Sequence, residues 1–284
     1  MNVKYLNISL FYELNNEVHG DDQLNIFQVG EYVVATVTDG VSECSFGRVA
    51  SIITTVAFEE FFRKRVNEIG DLEDTIVEGI KFAGQELVNA KKALLSKEYS
   101  VEVFIDYLKR SMDKLMKFES TAKDLIDRKI NQIKRGLSEV LSRGEEFTFE
   151  TVFAAAVFHK YKVYTAAVGD VEMYLFRNGK LIPHFVSPKS SLIDSYLSAD
   201  KGIVGTVDVA CRRLERGDVF ILATDGAFIS YSPPGGVPYA PFIRTLTESI
   251  KNGKDPAQRW LSKLKSMLNG ELSDDLSLII AVIE

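Results

Sequence analysis

Strand-like sequence at both ends of the chain, with a long helical block between them, is the feature that most constrains the fold. Residues 1–38, and most of the sequence from Phe147 to Glu284, form short β-branched and aromatic runs separated by turn residues. From Ser51 to about Arg143 the apolar residues follow helical spacing instead. Helices placed between strands predict an α+β fold whose sheets are completed by distant parts of the chain.

The helical block contains few residues that would interrupt a helix. All seven prolines lie between Pro183 and Pro256, and no glycine occurs between Gly84 and Gly136. This predicts a helical hairpin over about residues 91–143. It would either pack its apolar stripe on its own domain or serve as an arm for a protein partner or a dimer. The stripe consists of Ile126, Ile130, Ile133, Leu137 and Val140.

Bulk composition narrows the classes of function. Hydrophobic residues make up 46% of the 284 residues, which is ample for a sizeable core, and the net charge of -6 argues against nucleic acid as the main partner. Cys44 and Cys211 lie far apart, which favours a reducing compartment. No apolar run of membrane-spanning length occurs, so we expect a cytoplasmic protein that does not associate with membranes.

Acidic residues stand where the apolar strands begin or end. Asp39-Gly40, Gly169-Asp170 and Asp225-Gly226 each follow a predicted strand, whereas Asp21-Asp22 and Asp274-Asp275 each precede one. A single case is typical of a turn, since Asp-Gly is a common turn pair. If the strands are neighbours, their ends bring several carboxylates to one edge of the sheets.

Grouped carboxylates repel one another and require cations or raised pKa values. Oxygen ligands favour Mg²⁺ or Mn²⁺, and the three scattered histidines and two cysteines offer no zinc site. Pairs of oxygen-bound metals are common catalysts of in-line displacement at phosphorus. The residues alone therefore leave two interpretations, turns or a metal centre.

Six motifs in order carry a resemblance to a known family: "GDDQ", "VTDGVSECSFGRVAS", "TVFAAAVF", "YTAAVGDVEMYLFRNGKL", "GDVFILATDGAF" and "SDDLSLIIAVI". The chain resembles the metal-dependent serine/threonine protein phosphatases, the PPM or type 2C family, except over roughly residues 90–145. The resemblance implies a sandwich of two antiparallel β-sheets flanked by helices. It also implies one phosphatase domain over residues 1–284, with the helical hairpin as an extended insertion.

The resemblance also implies roles for individual residues. Asp39, Asp225 and Asp274 would form the catalytic centre, with Asp39 bridging two divalent cations, Mn²⁺ or Mg²⁺. A hydroxide shared by the metals would attack phosphoserine or phosphothreonine of a protein substrate, opposing a kinase. A third, looser metal would lie near Asp170. The implied metal ligands are Asp22, Asp39, Gly40, Asp225 and Asp274, with Asp21 and Asp170 as further candidates.

The sequence departs from the family at the phosphate-binding position. Where the family usually has an arginine, this chain has Glu17, and a carboxylate does not replace a bidentate arginine. His19 and Arg48 are candidate substitutes. Ser42-Glu43 also replace the family's paired glycines. Two other functions therefore stay open: a non-catalytic module that binds phosphoproteins, and a metal-dependent phosphatase of small phosphoesters.

Overall fold

Two antiparallel sheets and four α-helices form most of the described part of the chain. The computed structural model describes residues 1–10, 12–14, 17–41, 44, 46–115, 123–185, 193–226 and 275–284. The helices are α1 (Gly47–Arg65), α2 (Leu72–Leu95), α3 (Val101–Leu115) and α4 (Lys123–Arg143). The strands are β1 (Val3–Leu10), β2 (Tyr12–Leu14), β3 (Glu17–His19), β4 (Gln23–Val29), β5 (Tyr32–Gly40), β6 (Glu150–His159), β7 (Lys162–Val168), β8 (Glu172–Arg177), β9 (Lys180–Phe185), β10 (Tyr196–Ser198), β11 (Gly202–Val204), β12 (Asp208–Arg213), β13 (Val219–Ala223) and β14 (Leu276–Ile283).

Each sheet joins distant segments, as the sequence predicts. The first has the order β1-β14-β13-β8-β9, so that the first and last strands pair, with Val3 opposite Ile283. The second has the order β11-β10-β6-β5-β4, with β7 also paired to β6 and β12 paired to β7. Strands β2 and β3 form a separate hairpin. The predicted α+β sandwich is confirmed.

Strand β6 lies in the middle layer of the molecule. Its residues 151–158 are all buried, because one face packs on the helices and the other on the first sheet. Phe153 and Ala155 belong to the helix-side core, whereas Ala154 and Ala156 belong to the core between the sheets. A strand that is buried on both faces reads as a continuous apolar run.

Helix α1 begins earlier, and is more completely buried, than the helical spacing from Ser51 predicts. It begins at Gly47 rather than near Ser51, and every residue from Gly47 to Phe58 is buried. Farther along, Phe62 is fully buried and Phe61 is only partly so. Periodicity indicates one buried face, but this helix packs on the second sheet and also on α2 and α3. None of the helices in these ranges is long and apolar enough to cross a membrane.

Helices α3 and α4 pack together in the predicted region of the hairpin, whereas α2 continues to Leu95. Four of the five stripe residues of α4 are buried in the helix-side core, and Val140 is partly buried against it. The stripe therefore packs on its own chain. Asn178-Gly179, a pair typical of tight hairpin turns, joins β8 to β9 with positive φ at both residues.

His184 on β9 connects the two sheets. Its Nε2 lies 2.8 Å from the hydroxyl of Thr165 on β7, and its Nδ1 accepts a hydrogen bond of 3.1 Å from Arg212 Nε on β12. Because Thr165 donates to the Ala210 carbonyl, its oxygen is free to accept from His184 Nε2. Burial, and then the charge of Arg212, lower the pKa of His184 to about 4.

This histidine predicts a loss of stability in mild acid. Between pH 6.5 and 4 the unfolded chain binds a proton at His184 that the folded chain does not. The free energy of unfolding should therefore fall by about 1–2 kcal/mol as the pH drops through that range. Urea unfolding of wild type and His184→Gln measures the difference, with His159→Gln as the matched control. An identical pH dependence in wild type and His184→Gln would contradict the prediction.

Candidate metal centre

The acidic strand ends meet at one end of the sandwich. Gln23, the first residue of β4, pairs with Thr38 of β5, which places Asp22 beside Asp39. Asp39 and Gly40 are themselves the last two residues of β5 rather than a turn after it. In the other sheet, Ala223 at the end of β13 pairs with Leu278 near the start of β14. Both sheets thus present carboxylates at the same edge.

Asp22 is the most buried of these carboxylates, with no solvent-exposed surface. Its Oδ2 accepts a hydrogen bond of 2.7 Å from the Thr224 hydroxyl, and its carbonyl accepts one from the Arg48 guanidinium. Burial raises the pKa of the Asp22 carboxyl well above its usual range, and the charges of Asp275 and Asp225 raise it further. Hydrogen bonding to Thr224 and to the Asp39 side chain acts in the opposite direction.

Asp21 holds three elements together at this edge. Its Oδ1 accepts a hydrogen bond of 2.8 Å from the Arg48 amide in the first turn of α1. Its Oδ2 lies 3.0 Å from Lys129 Nζ of α4, and its own amide donates to Asp275 Oδ2 at 2.6 Å. A carboxylate at the start of a helix is also favoured by the helix dipole. Asp21 is therefore both a helix cap and a member of the acidic group.

Two glycines let α1 start directly against the end of β5. A methyl group added to Gly40 would lie 2.6 Å from the carbonyl carbon of Gly47, and one added to Gly47 would lie 2.9 Å from Gly40. Either contact is too short for a real side chain. This close approach brings the start of α1 to Asp21, and it explains why the sequence places Gly40 after Asp39.

Thr151, on the neighbouring strand β6, holds the backbone of Asp39 in place. Its hydroxyl donates to the Asp39 carbonyl at 2.7 Å, and it lies 3.1 Å from the hydroxyl of Ser51 on α1. Both hydroxyl-bearing residues are fully buried. They fix the backbone at Asp39, whose side chain stays partly exposed.

Three other candidates lie in different surroundings. Asp170 follows β7 at the same end of the sandwich, after Gly169, whose φ is +96°. His19 is a partly buried residue at the end of β3. Arg48 is completely buried, and its guanidinium donates to the Asp22 carbonyl rather than facing solvent. Asp274 lies outside the described residues.

The residues present suit a hard divalent cation. Asp22 Oδ1 is buried and receives no hydrogen bond from any donor among the described residues, although carboxylates surround it. A buried acceptor of this kind is satisfied by a cation. Among the described residues alone, no three acidic, histidine or cysteine side chains already form a ligand set. The set implied by the resemblance needs Asp274 in addition.

Two residues contribute to the acidic edge but were not among those predicted from the sequence. Thr224 precedes the predicted ligand Asp225, and its hydroxyl links Asp22 to the Ser277 amide, which donates to it at 3.0 Å. Lys129 lies in the first half of α4, and nothing in the local sequence indicates that it reaches Asp21. The position of Thr224 next to Asp225 in the sequence could have indicated its role. The role of Lys129 could be recognised only from the tertiary structure.

The sequence profile and the fold both indicate one family of proteins. The chain belongs to the protein phosphatase 2C family, whose sequence profile matches residues 13–268. No curated protein sequence matches it. The two-sheet fold is similar to that of the S. agalactiae serine/threonine phosphatase, at 13% identity over 100% of both chains with a TM-score of 0.62.

Two further solved structures share this fold. Stp1 from Staphylococcus aureus has 15% identity over 99% of this chain and 94% of its own, with a TM-score of 0.61. The catalytic domain of PstP, solved in complex with two manganese ions, has 13% identity over 99% of both chains and a TM-score of 0.57. At these identities the likeness establishes the fold.

Neutralising Asp22 should stabilise the metal-free protein. In Asp22→Asn the amide removes the cost of burying an ionisable carboxyl group and can donate to a neighbouring carboxylate, so the free energy of unfolding in a chelator should rise by about 1–3 kcal/mol. Chemical denaturation in EDTA measures this change. Asp208→Asn, at an exposed position on β12, is the control and should change stability by less than about 0.5 kcal/mol. A less stable Asp22→Asn protein would contradict the prediction.

Proposed function

We propose that this protein is a Mn²⁺- or Mg²⁺-dependent phosphatase of phosphoserine and phosphothreonine in proteins. The observation that carries the proposal is a group of four carboxylates at one end of the sandwich, from Asp22, Asp39, Asp225 and Asp275. Within this group, Asp22 Oδ1 is buried and accepts no hydrogen bond from the residues that the structure describes. Membership of the protein phosphatase 2C family supports the same chemistry.

The proposed ligands are Asp22, Asp39, the Gly40 carbonyl, Asp225 and Asp274, with Asp21 and Asp170 as further candidates. Two bound divalent cations, with a third as a further possibility near Asp170, would activate water and neutralise charge on the phosphoryl oxygens. Asp39, Asp225 and Asp274 are the proposed catalytic residues. The catalytic domain of PstP, which shares this fold, was solved with two manganese ions, and this makes the choice of cation reasonable.

The surrounding residues would hold the ligands in place before a cation binds. Thr224 orients the Asp22 carboxyl through its 2.7 Å hydrogen bond, and Thr151 holds the backbone of Asp39. The contact between Gly40 and Gly47 keeps the end of β5 against α1. Such preorganisation lowers the cost of gathering like charges around the reacting group.

The proposed substrate is a phosphorylated protein, modified by a serine/threonine kinase. We place the reaction in the cytoplasm, which suits the two free cysteines, Cys44 and Cys211. Phosphate binding would depend mainly on the cations, because Arg48 is buried against the backbone and Glu17 takes the place of the family's arginine. His19 stays a candidate for this role.

Phosphate release from a phosphothreonine peptide tests the proposal. Wild-type protein should release phosphate with Mn²⁺ or Mg²⁺ and none in EDTA, and Asp39→Asn should reduce kcat/KM by about 100-fold or more, because it removes the charge of a proposed metal ligand. Asp208→Asn, with the same chemical change at an exposed site, should retain wild-type activity.

Two other results would redirect the assignment. A folded protein that binds phosphopeptide without turnover under either metal would indicate a non-catalytic binding module. A kcat/KM for a small aryl phosphate that exceeds the value for the phosphopeptide would indicate a phosphatase of small phosphoesters. Activity that survives unchanged in Asp39→Asn would contradict the proposed site.

A further inference from the structure

Lys129 of the helical insertion reaches the acidic edge. Its Nζ lies 3.0 Å from Asp21 Oδ2, and the Lys129 and Asp21 side chains are only 14% and 21% exposed. The ion pair therefore lies in a partly desolvated setting, where Coulomb interactions are stronger than on an open surface. It connects α4 to the segment that carries Asp22.

Packing of α4 fixes the lysine in this position. Ile130 and Ile133, which follow Lys129 along the buried side of the helix, are 1% and 3% exposed. Gly136 lies against Phe46, the residue before α1, so closely that an added methyl group would be 3.0 Å from the Phe46 ring. The backbone of α4 is thus held against the start of α1, and the Lys129 ammonium is held at Asp21.

We propose that Lys129 is a positioning residue that sets the divalent-cation affinity of the acidic edge. This inference rests on the proposed function. The ammonium offsets one negative charge beside the candidate ligands, so a divalent cation meets a less negative site while the ion pair is intact. The helical insertion thereby acquires a role beyond packing, because the position of α4 determines how much negative charge Asp21 contributes.

Two effects of removing Lys129 oppose each other, and the charge effect is the larger. Loss of the ion pair gives Asp21 more freedom, which would weaken cation binding. However, Asp21 Oδ1 still accepts from the Arg48 amide at 2.8 Å, and the Asp21 amide still donates to Asp275. These contacts keep the carboxyl near its present position. The extra negative charge should therefore dominate and tighten binding.

Calorimetric titration of the metal-free full chain with MnCl₂ tests the proposal. Lys129→Met should bind Mn²⁺ about 5- to 30-fold more tightly than wild type, since removal of a nearby positive charge favours cation binding. Lys129→Arg keeps the charge and should stay within about 3-fold of wild type. Lys134→Met is the matched control on the same helix, because Lys134 is 44% exposed and its ion pair with Glu102 has a longer separation of 3.7 Å. Circular dichroism establishes that each variant is folded, and Lys129→Gln replaces the Met variant if that one is not.

The outcomes distinguish a failure of this inference from a failure of the proposed function. Wild-type Mn²⁺ binding that is lost in Asp39→Asn but unchanged or weaker in Lys129→Met would overturn the role of Lys129 alone. Equal tightening in Lys134→Met would also overturn it, because the effect would then reflect net charge rather than position. Absence of Mn²⁺ binding by wild-type protein would overturn both the proposed metal site and this inference.

Discussion

The buried carboxyl group of Asp22 is the constraint on which the acidic end of the molecule depends. A carboxylate without exposed surface, beside Asp39, Asp225 and Asp275, is costly unless its oxygens are satisfied. Thr224 satisfies one oxygen from the other sheet, and the backbone of Asp22 is tied to Arg48. Under the proposed function, a divalent cation would bind the remaining oxygen, Asp22 Oδ1. Cation binding would then offset the cost of burying this carboxyl group.

Helix α1 and the hairpin of α3 and α4 are tied to the same end of the molecule. The contact between Gly40 and Gly47 places the first turn of α1 next to β5, and Asp21 caps that turn. Gly136 then packs α4 on Phe46, which precedes α1. A displacement of α4 would therefore be transmitted to Asp21 through Lys129 and to Gly47 through Phe46. The hairpin of α3 and α4 therefore contacts the acidic edge as well as the core.

Local chemistry explains which features could be predicted from the sequence. Asp39 and Asp225 stand at the ends of apolar runs, Asn178-Gly179 is a strong turn signal, and the stripe of α4 follows helical spacing. Each of these depends on neighbours within about ten residues of the chain. Those predictions agree with the position of the strands, the turn and the helix.

Features that depend on tertiary contacts could not be predicted in this way. Helix α1 is buried on all sides over its first turns because it packs on a sheet and on two helices, whereas periodicity reports only one face. The pairing of β1 with β14 joins residues 280 positions apart, Val3 with Ile283. The ion pair of Asp21 with Lys129 spans 108 positions. No local pattern encodes such partners.

The central claim, that carboxylates from both sheets hold divalent cations at this end, is tested most directly by anomalous diffraction from crystals grown with Mn²⁺. The account predicts two manganese peaks, both within coordination distance of the Asp39 carboxylate, with Asp22 and Asp225 among the other ligands. Roughly 2.0–2.6 Å is the range for hard cations bound by oxygen. Manganese bound elsewhere on the protein, or its absence from this edge in well-diffracting crystals, would contradict the account.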